Sequence, residues 1–223
     1  GGVTRNGLRS ISQFNPYFET NHELSNSWER LNVYGGFKGS IIKSVGFDVS
    51  VAEIITGQQI FFVNDTSKGL GNKFLAEYHD VRVTNVKGAL SYQLKNKLAF
   101  SLEAEYRFFV MPSDSIKPWH EAPFRLTFAG NYNLKDKLIF KVSISAYGPR
   151  VARGFSTDSL GIVSMTPVTL KGYADANIGV EYRYRKWLGA FVDFRNIAAL
   201  RYDIWKQYPS QRFSFIAGLN FSF

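Results

Sequence analysis

The chain has 223 residues, no cysteine and a formal net charge of +9. The lack of cysteine excludes disulfides, thiolate metal sites and cysteine nucleophiles, and no apolar run approaches the roughly 20 residues of a transmembrane helix. The 27 Lys and Arg residues are spread among acidic residues, which favours a solvated surface or lumen of mixed charge over a nucleic-acid-binding block.

Aromatic residues make up 16% of the chain, whereas mean hydropathy is only −0.15. Rings are abundant where they line both edges of a membrane. In a membrane barrel only alternate residues face lipid, so the average hides the apolar signal. The sequence begins GGVTRNGLRS, without Met or a signal peptide, which predicts a mature chain or a piece of a longer one.

The first half of the chain divides into a start without regular pattern and a series of strands. Residues 1–27 are predicted to be a loop or an imperfect strand, and residues 28–223 an outer-membrane β-barrel region. Alternation of apolar and polar residues predicts strands at 29–41 and from residue 45 onward. The second pattern decays at Gly57 and Gln58 into IFFVNDTSKGLGN, which is predicted to be a loop.

Seven further strands follow. A third is predicted at about 74–94, with an interruption near His79 and Asp80. The others are predicted at residues 98–108, 124–134, 138–146, 174–182, 188–195 and 212–223. The segment from Gly148 to Pro167 lacks a pattern, and its length predicts an exposed functional or mobile loop.

Short and long links fall on opposite sides of this predicted sheet. The short links lie at residues 42–44, 95–97, 135–137 and 185–187, on the same side as the C-terminus. The long links lie near residues 63–73, 111–123, 148–168 and 196–211, on the other side. Short periplasmic turns with long outer loops are typical of an outer-membrane barrel.

The aromatic residues sort into two belts. The belt at the short-turn edge contains Tyr92, Tyr132, Tyr182, Tyr184, Trp187, Phe221 and Phe223, and the opposite belt contains Tyr106, Phe108, Phe124, Phe194 and Phe213. Two such belts match the two interfaces of a bilayer. The closing strand ends on Phe223, which we predict to be the terminus that the barrel-assembly machinery recognises. A soluble β-barrel of lipocalin type is the alternative.

Charged residues occupy the alternate face of several strands. Ten of them are predicted to face the lumen: Glu103, Glu105, Arg107, Arg125, Lys141, Asp175, Glu181, Arg183, Asp193 and Arg195. Unpaired charges are costly in a packed core. They are expected either to pair with one another and stiffen the wall, or to set the charge selectivity of a pore or bind a plug.

About nine strands are recognisable, whereas single-chain bacterial barrels have an even number. The fold class is therefore predicted to be all-β, an antiparallel transmembrane β-barrel of about 9–10 strands or part of a larger barrel. Residues 5–20 are the candidates for a tenth strand.

Several runs of the sequence resemble a known family. They include LNVYGGFKGSI, YHDVRVTNVKGALSYQL and GVEYRYRKWLGAFVDFRNIAALRYDIWKQYPSQRFSFIAGLNFSF. These runs resemble the C-terminal barrel region of Bacteroidota outer-membrane proteins that are TonB-dependent-receptor-like. The resemblance implies solute passage or uptake, with outer-membrane lipid, the barrel-assembly machinery, a plug domain and an energising protein as partners.

Residues that carry catalytic or metal chemistry form no motif. His22, His79 and His120 show no metal-ligand spacing, so neither a metal, a cofactor nor enzyme activity is expected. His79 beside Asp80 suggests either an outer-membrane protease arrangement or a solvated loop pair. The aromatics of the long links, Trp119, Tyr202, Trp205 and Tyr208, are expected either to hold a sugar or peptide or to pack a loop onto the rim.

Two alternatives to an uptake barrel stay open at this point. One is a structural or assembly-partner barrel that carries no solute, and the other is an outer-membrane enzyme. All three share an outer-membrane location.

Overall fold

A computed structural model describes residues 2–4, 17, 24–65, 71–157, 163–185 and 187–221. Within these ranges the regular secondary structure consists of strands. The strands are β1 (Val3–Thr4), β2 (Ser27–Ile42), β3 (Val45–Asn64), β4 (Phe74–Leu94), β5 (Leu98–Val110), β6 (Phe124–Leu134), β7 (Leu138–Tyr147), β8 (Arg150–Thr157), β9 (Val163–Leu170), β10 (Tyr173–Arg185), β11 (Leu188–Arg195), β12 (Asp203–Trp205), β13 (Tyr208–Pro209) and β14 (Ser214–Phe221). No helix in the described ranges is long and apolar enough to cross a membrane.

One antiparallel sheet of ten strands dominates the molecule, in the order β1-β2-β3-β4-β5-β6-β7-β10-β11-β14. Its nine long strands, β2–β7, β10, β11 and β14, are called the wall below. The fold is all-β and antiparallel, as predicted, and the nine predicted strands are confirmed. The short strand β1 pairs with β2 as the tenth. In the described residues the edge strands β1 and β14 do not pair with each other, and most of residues 5–20 lie outside them.

The register gives the wall two different faces. On one face Leu102 lies opposite Phe128, and Phe128 opposite Ile144. On the other face Thr127 pairs with both Glu103 and Ser145. The first, called the apolar face, is uncovered: the exposed fraction is 80% for Phe37 and 64% for Leu219. Phe128, Phe140 and Val180, which a soluble fold would bury, are all at least partly exposed.

The short links are tight turns between neighbouring wall strands. Lys95, Lys135 and Asp136 have positive φ angles of 45°, 54° and 58°, as such turns require. At the other end of the wall, β3 and β4 contain 20 and 21 residues, about twice the 9–11 residues that cross a membrane. Their far halves therefore extend well beyond the other strands.

The predicted loop after Gly57 was wrong, because β3 continues to Asn64. A β-bulge shifts the register between Thr56 and Gln59, so the alternation resumes out of phase and the sequence pattern is interrupted there. Gln58 in the bulge has a φ angle of 52°, and its backbone N–H donates to Asp80 Oδ1 at 3.0 Å. This bulge lies opposite the interruption predicted near His79 and Asp80.

The predicted unpatterned loop at 148–167 was also wrong for most of its length. β8 and β9 form an antiparallel hairpin there, with Arg150 opposite Leu170 and Gly154 opposite Thr166. The link at 196–211 contains a second small hairpin, β12 and β13. The β8–β9 hairpin gives no apolar alternation in the sequence, because the buried positions of β8 are Arg150, Ala152 and Gly154 and residues 165–169 of β9 are exposed throughout.

The buried core lies at the long-link end of the molecule. Phe61, Val63, Phe74 and Trp119 have exposed fractions of 2%, 0%, 0% and 5%. They belong to the far halves of β3 and β4 and to the link at 111–123. Together with the β8–β9 and β12–β13 hairpins, these segments are called the cap.

Candidate functional site

The ten residues predicted to face a lumen all lie on the polar face of the wall. Pairing places Glu105 opposite Arg125 and Lys87, and Asp193 opposite Gly179, which in turn is opposite Lys141. The strand period of two places the remaining members on the same side. The register thus unites the set on one surface, and its assignment to a lumen stays a prediction.

Ion pairs tie several of these residues to the wall. Lys141 Nζ and Arg183 Nε lie 3.1 Å and 2.8 Å from the two oxygens of Glu181. Glu105 accepts from Asn85 Nδ2 at 2.9 Å, and Arg107 Nη1 lies 3.0 Å from Glu121. The contacts of Lys141 with Glu181 and of Asn85 with Glu105 fix neighbouring strands to one another, in agreement with the stiffening role.

Four of the ten residues meet at an open cleft of about 590 Å³ on the polar face, below the β12–β13 hairpin. They are Lys141, Asp175, Asp193 and Arg195, and Arg212 joins them. Amide and hydroxyl groups fill the spaces between the charges, from Asn177, Asn196, Gln211 and Ser214. A cleft with both signs of charge and many hydrogen-bonding groups suits a polar solute.

The cleft's upper edge is held by hydrogen bonds from the link at 196–211. Tyr202 stacks on Tyr173 with centroids 3.9 Å apart, and its hydroxyl donates to Asp175 Oδ2 at 2.5 Å. Burial and this carboxylate raise the pKa of Tyr202 above its usual value. Asn196 is buried, and its Nδ2 donates to the carbonyls of Leu200 at 2.7 Å and Gln211 at 3.1 Å. The link is therefore folded in place.

A second cleft, of about 640 Å³, lies at the short-turn end of the wall. Glu181 and Arg183 line it together with Lys135, Lys137 and Trp187. Glu103, Glu105, Arg107 and Arg125 of the predicted set line neither of these two clefts. The predicted assembly terminus Phe223 lies outside the described residues.

One group of polar residues breaks the apolar face near the outer belt. Glu53 lies opposite Thr84 and forms an ion pair with Arg82. Just beyond it, Arg30 Nη2 lies 2.9 Å from Asp80 Oδ2. Pairing neutralises all four charges at the level where wall strands leave the apolar band.

The aromatics of the long links pack inside the cap. Trp119 contacts the cluster of Phe61, Val63 and Val81. Trp205 meets Phe62 and Phe74 edge-on, with centroids 5.6 Å and 5.5 Å apart. Together with Tyr202 on Tyr173 and Tyr208 against Phe74, these contacts agree with the packing role and not with rings held free for a ligand.

His120 lies at the centre of the cap. Its ring is between Phe74 and Trp205, with centroids 5.5 Å and 4.8 Å away. Nδ1 lies 2.9 Å from the carbonyl oxygen of Phe62, which only accepts, so Nδ1 carries the proton and Nε2 the lone pair. Burial lowers the pKa of His120 to about 4, and the cations Arg150 and Lys206 add to the lowering. The imidazole is thus neutral at pH 7.

Two cations join the hairpins of the cap. Arg150 donates from Nη1 to the carbonyl of Ile204 at 2.5 Å and from Nη2 to that of Asp203 at 2.6 Å. Lys206 Nζ donates to the carbonyl of Arg153 at 3.1 Å. Burial lowers the pKa of both Arg150 and Lys206. The β12–β13 hairpin is thereby fastened to β8.

His79 and Asp80 do not form a catalytic pair. They are consecutive residues of β4, so their side chains leave opposite faces. His79 Nε2 lies 3.4 Å from Glu77, whereas Asp80 contacts Gln58 and Arg30. In the described part of the chain no three His, Cys, Asp or Glu residues form a group that could hold a metal ion.

Sequence reasoning missed the residues that organise the cap and the cleft edge. Arg150 lies in the segment that was predicted to be an unpatterned loop, and no neighbouring residue in the sequence indicates its role. Asn196 had a signal, because an Asn directly after a strand often adopts positive φ, and its φ is 47°. His120 was noted only for its lack of metal-ligand spacing.

Comparison with known proteins finds structural matches but no sequence matches. No family model and no curated protein matches the chain. It superimposes on the ferripyoverdine receptor of the outer membrane of Pseudomonas aeruginosa with a TM-score of 0.65 at 14% identity, covering 86% of this chain and 27% of the receptor. The fold is therefore that of part of an outer-membrane β-barrel.

Two further solved structures agree. The ferric-catecholate import receptor Fiu from E. coli K12 matches with a TM-score of 0.63 at 12% identity, over 92% of this chain and 29% of Fiu. The copper transporter OprC matches with a TM-score of 0.65 at 14% identity, over 90% of this chain and 32% of OprC. The chain therefore spans less than a third of each structure's length. The receptor-barrel fold and the uncovered apolar face agree on an outer-membrane location.

Proposed function

We propose that this chain is part of the wall and cap of an outer-membrane receptor barrel that takes up a solute, in the manner of a TonB-dependent receptor. The observation that carries the proposal is the division of the wall into an uncovered apolar face and a charged face with a polar cleft. Lipid would cover the first, and the second would line a water-filled lumen. The runs quoted above support an affiliation with Bacteroidota outer-membrane proteins.

A larger barrel completes this proposal. The edge strands of the wall are unpaired with each other in the described residues, and open sheet edges do not face lipid. Further strands would close the sheet, and a plug domain inside it would meet the ten charged residues of the polar face. An energising protein and the barrel-assembly machinery, which would bind Phe223, are the other partners proposed.

The cleft at Asp175, Asp193 and Arg195 is the proposed solute contact of this chain. It lies on the polar face beside the folded cap, where a solute entering from the long-link side would meet it first. The neighbouring structures are described as receptors or transporters for ferripyoverdine, ferric catecholate and copper, so metal chelates are the first class to test. No catalytic step is proposed for the chain.

Membrane placement can be tested in the full-length protein with single cysteines, since this chain contributes none. Ser143→Cys and Ile144→Cys are neighbours on opposite faces of β7. We expect a membrane-impermeant maleimide to label Ser143→Cys in membranes and to leave Ile144→Cys unlabelled until detergent is added. Equal labelling of both in intact membranes would refute the placement.

Uptake can be tested with cells that depend on the full-length protein. We expect these cells to accumulate a radiolabelled ferric catecholate, ferripyoverdine or copper. Uptake should stop when the proton gradient is collapsed. The double change Asp193→Asn with Arg195→Gln, which leaves the net charge unaltered, should weaken binding at least tenfold through the loss of two charge-assisted contacts. The control change Lys87→Gln, on the polar face but outside the cleft, should not weaken it. A structural barrel would bind none of these probes.

A further inference from the structure

The chain's positive charge is concentrated at one end of the wall. Residues 43–44, 95–97, 135–137 and 185–187 form the four short turns, and they hold seven Lys or Arg residues against the single carboxylate of Asp136. Six of the chain's nine net positive charges therefore lie in four turns. The long links carry both signs, as in Asp114, Lys117 and Glu121.

These four turns form one continuous rim. Backbone hydrogen bonds run from the strand beside each turn to the carbonyl of the preceding turn: Gln93 to Ser44 at 2.9 Å, Asn133 to Lys97 at 2.7 Å and Arg183 to Lys137 at 2.7 Å. Because the wall strands follow one another in sequence order, the turns stand side by side. The cations are thus spread along an edge and not gathered at one point.

The rim cations are available to a partner. Those with described side chains are all exposed, namely Lys43, Lys95, Lys97, Lys135, Lys137 and Arg185. In the described part of the chain the ion pairs of the wall involve other residues, such as Lys141 and Arg183 with Glu181. The carboxylate of Asp136 already accepts from Asn133 Nδ2 at 2.6 Å.

A ring precedes the cations at a fixed spacing. Tyr92 comes three residues before Lys95, Tyr132 three before Lys135, and Tyr182 three before Arg185. At about 3.3 Å per residue this places each ring about 10 Å below the cation. The three tyrosines share the apolar face of the wall, and Tyr182 and Trp187 are 47% and 48% exposed.

This order matches the layers of a membrane surface. Aromatic rings prefer the boundary between hydrocarbon and headgroups, and Lys and Arg side chains next to them reach the phosphates. We propose that the short-turn rim is a collar that binds anionic phospholipid headgroups in the leaflet it faces. The proposal rests on the membrane placement proposed above and adds a lipid selectivity that uptake does not require.

The test uses the full-length protein in vesicles of phosphatidylcholine mixed with phosphatidylglycerol, with either lipid brominated on its chains. Bromine quenches nearby tryptophan, and the signal of Trp187 is obtained by subtracting that of a Trp187→Phe variant. Since each cation near an anionic surface favours binding by about fivefold, we expect brominated phosphatidylglycerol to be preferred about tenfold at low salt. The preference should shrink at 1 M salt, where the Debye length is about 3 Å.

A matched pair of variants separates the rim from overall charge. Lys95→Gln with Lys135→Gln should reduce the preference at least threefold, whereas Lys117→Gln with Lys171→Gln, which removes the same charge at the long-link end, should leave it unchanged. Both variants should keep the native protein's electrophoretic shift on heating, which confirms folding. Equal quenching of the native protein by the two brominated lipids would overturn the collar alone. No quenching of Trp187 by either lipid would overturn the membrane placement as well.

Discussion

Wall and cap use the same aromatic residues in opposite ways. In the wall, Phe37 and Phe215 are 80% and 64% exposed, whereas in the cap Phe61 and Phe74 are 2% and 0% exposed. Burying a Phe side chain away from water favours folding by about 1.5–3 kcal/mol. The cap gains this by packing its own rings together, but the wall gains it only if lipid supplies the apolar surroundings.

Under the membrane placement proposed above, the wall is surrounded by lipid and the cap by water. The cap resembles the interior of a water-soluble domain, with buried rings, an enclosed neutral His120 and two cations on backbone carbonyls. In the wall, each strand is hydrogen-bonded to its neighbours in the sheet while one face stays uncovered, as hydrocarbon requires. Changes that exchange these environments should therefore have large and opposite effects in the two regions.

The largest effect is expected from removing a buried ring. Phe74→Ala should destabilise the cap by about 3–5 kcal/mol, because it leaves a cavity among rings that are already packed. Hydrogen exchange of cap amides in the full-length protein measures it. Phe215→Ala in the wall should cost only the transfer share, about 1.5–3 kcal/mol, because lipid would fill the space and no cavity would remain. Comparable losses in both variants would contradict the distinction.

A charge placed on each face of the same strand sharpens the comparison within the wall. Leu102 and Ser101 are neighbours on β5 with opposite orientations. Leu102→Arg should cost about 2–4 kcal/mol of folding free energy in lipid bilayers, whereas Ser101→Arg on the polar face should cost about 0–1 kcal/mol. Equilibrium folding into vesicles measures both, and similar costs for the two would mean that neither face contacts lipid.

Acidification below neutral pH should weaken the cap. His120 has a pKa of about 4 in the folded cap against an ordinary value of 6.5, so the unfolded cap binds the proton first as pH falls. The stability that depends on neutral His120 is fully present above about pH 6.5 and is lost as the pH falls to about 4. Below pH 4 the loss levels off at about 3 kcal/mol. Protease sensitivity of the 196–211 link should follow this curve. His120→Gln should remove most of this pH dependence, and an unchanged curve would exclude His120 as its source.

The smallest effect is expected from the fastening of the two hairpins. Arg150→Lys keeps a cation but cannot reach both carbonyls of Asp203 and Ile204 with one fork. We expect a loss of about 1–2 kcal/mol, the cost of a buried acceptor left unpaired, seen as faster exchange of β12 amides. Lys171→Arg, at an exposed site nearby, serves as control, and an equal change there would assign the effect to charge or size alone.

The wall could be predicted from local sequence patterns. Alternation with a period of two and tight polar turns are local properties, so residues near one another in the chain were enough to locate the strands, the faces of the ten charged residues and the sides of the links. The same information predicted that Trp119 and Trp205 sit in long links, but not whether they bind a ligand or pack.

The cap could not be predicted in this way, because it depends on contacts between distant segments. The bulge at Gln58 put β3 out of phase with its own pattern, so a strand resembled a loop. The hairpins at 150–170 and 203–209 are stabilised by contacts from far along the chain, such as the hydrogen bond from the Tyr208 hydroxyl to the carbonyl of Asn72, 136 residues away. Burial of His120 depends on contacts with four other segments, namely β3, β4, β8 and β12. Contacts of this kind leave no period in the sequence, because each partner is fixed by the fold and not by its neighbours.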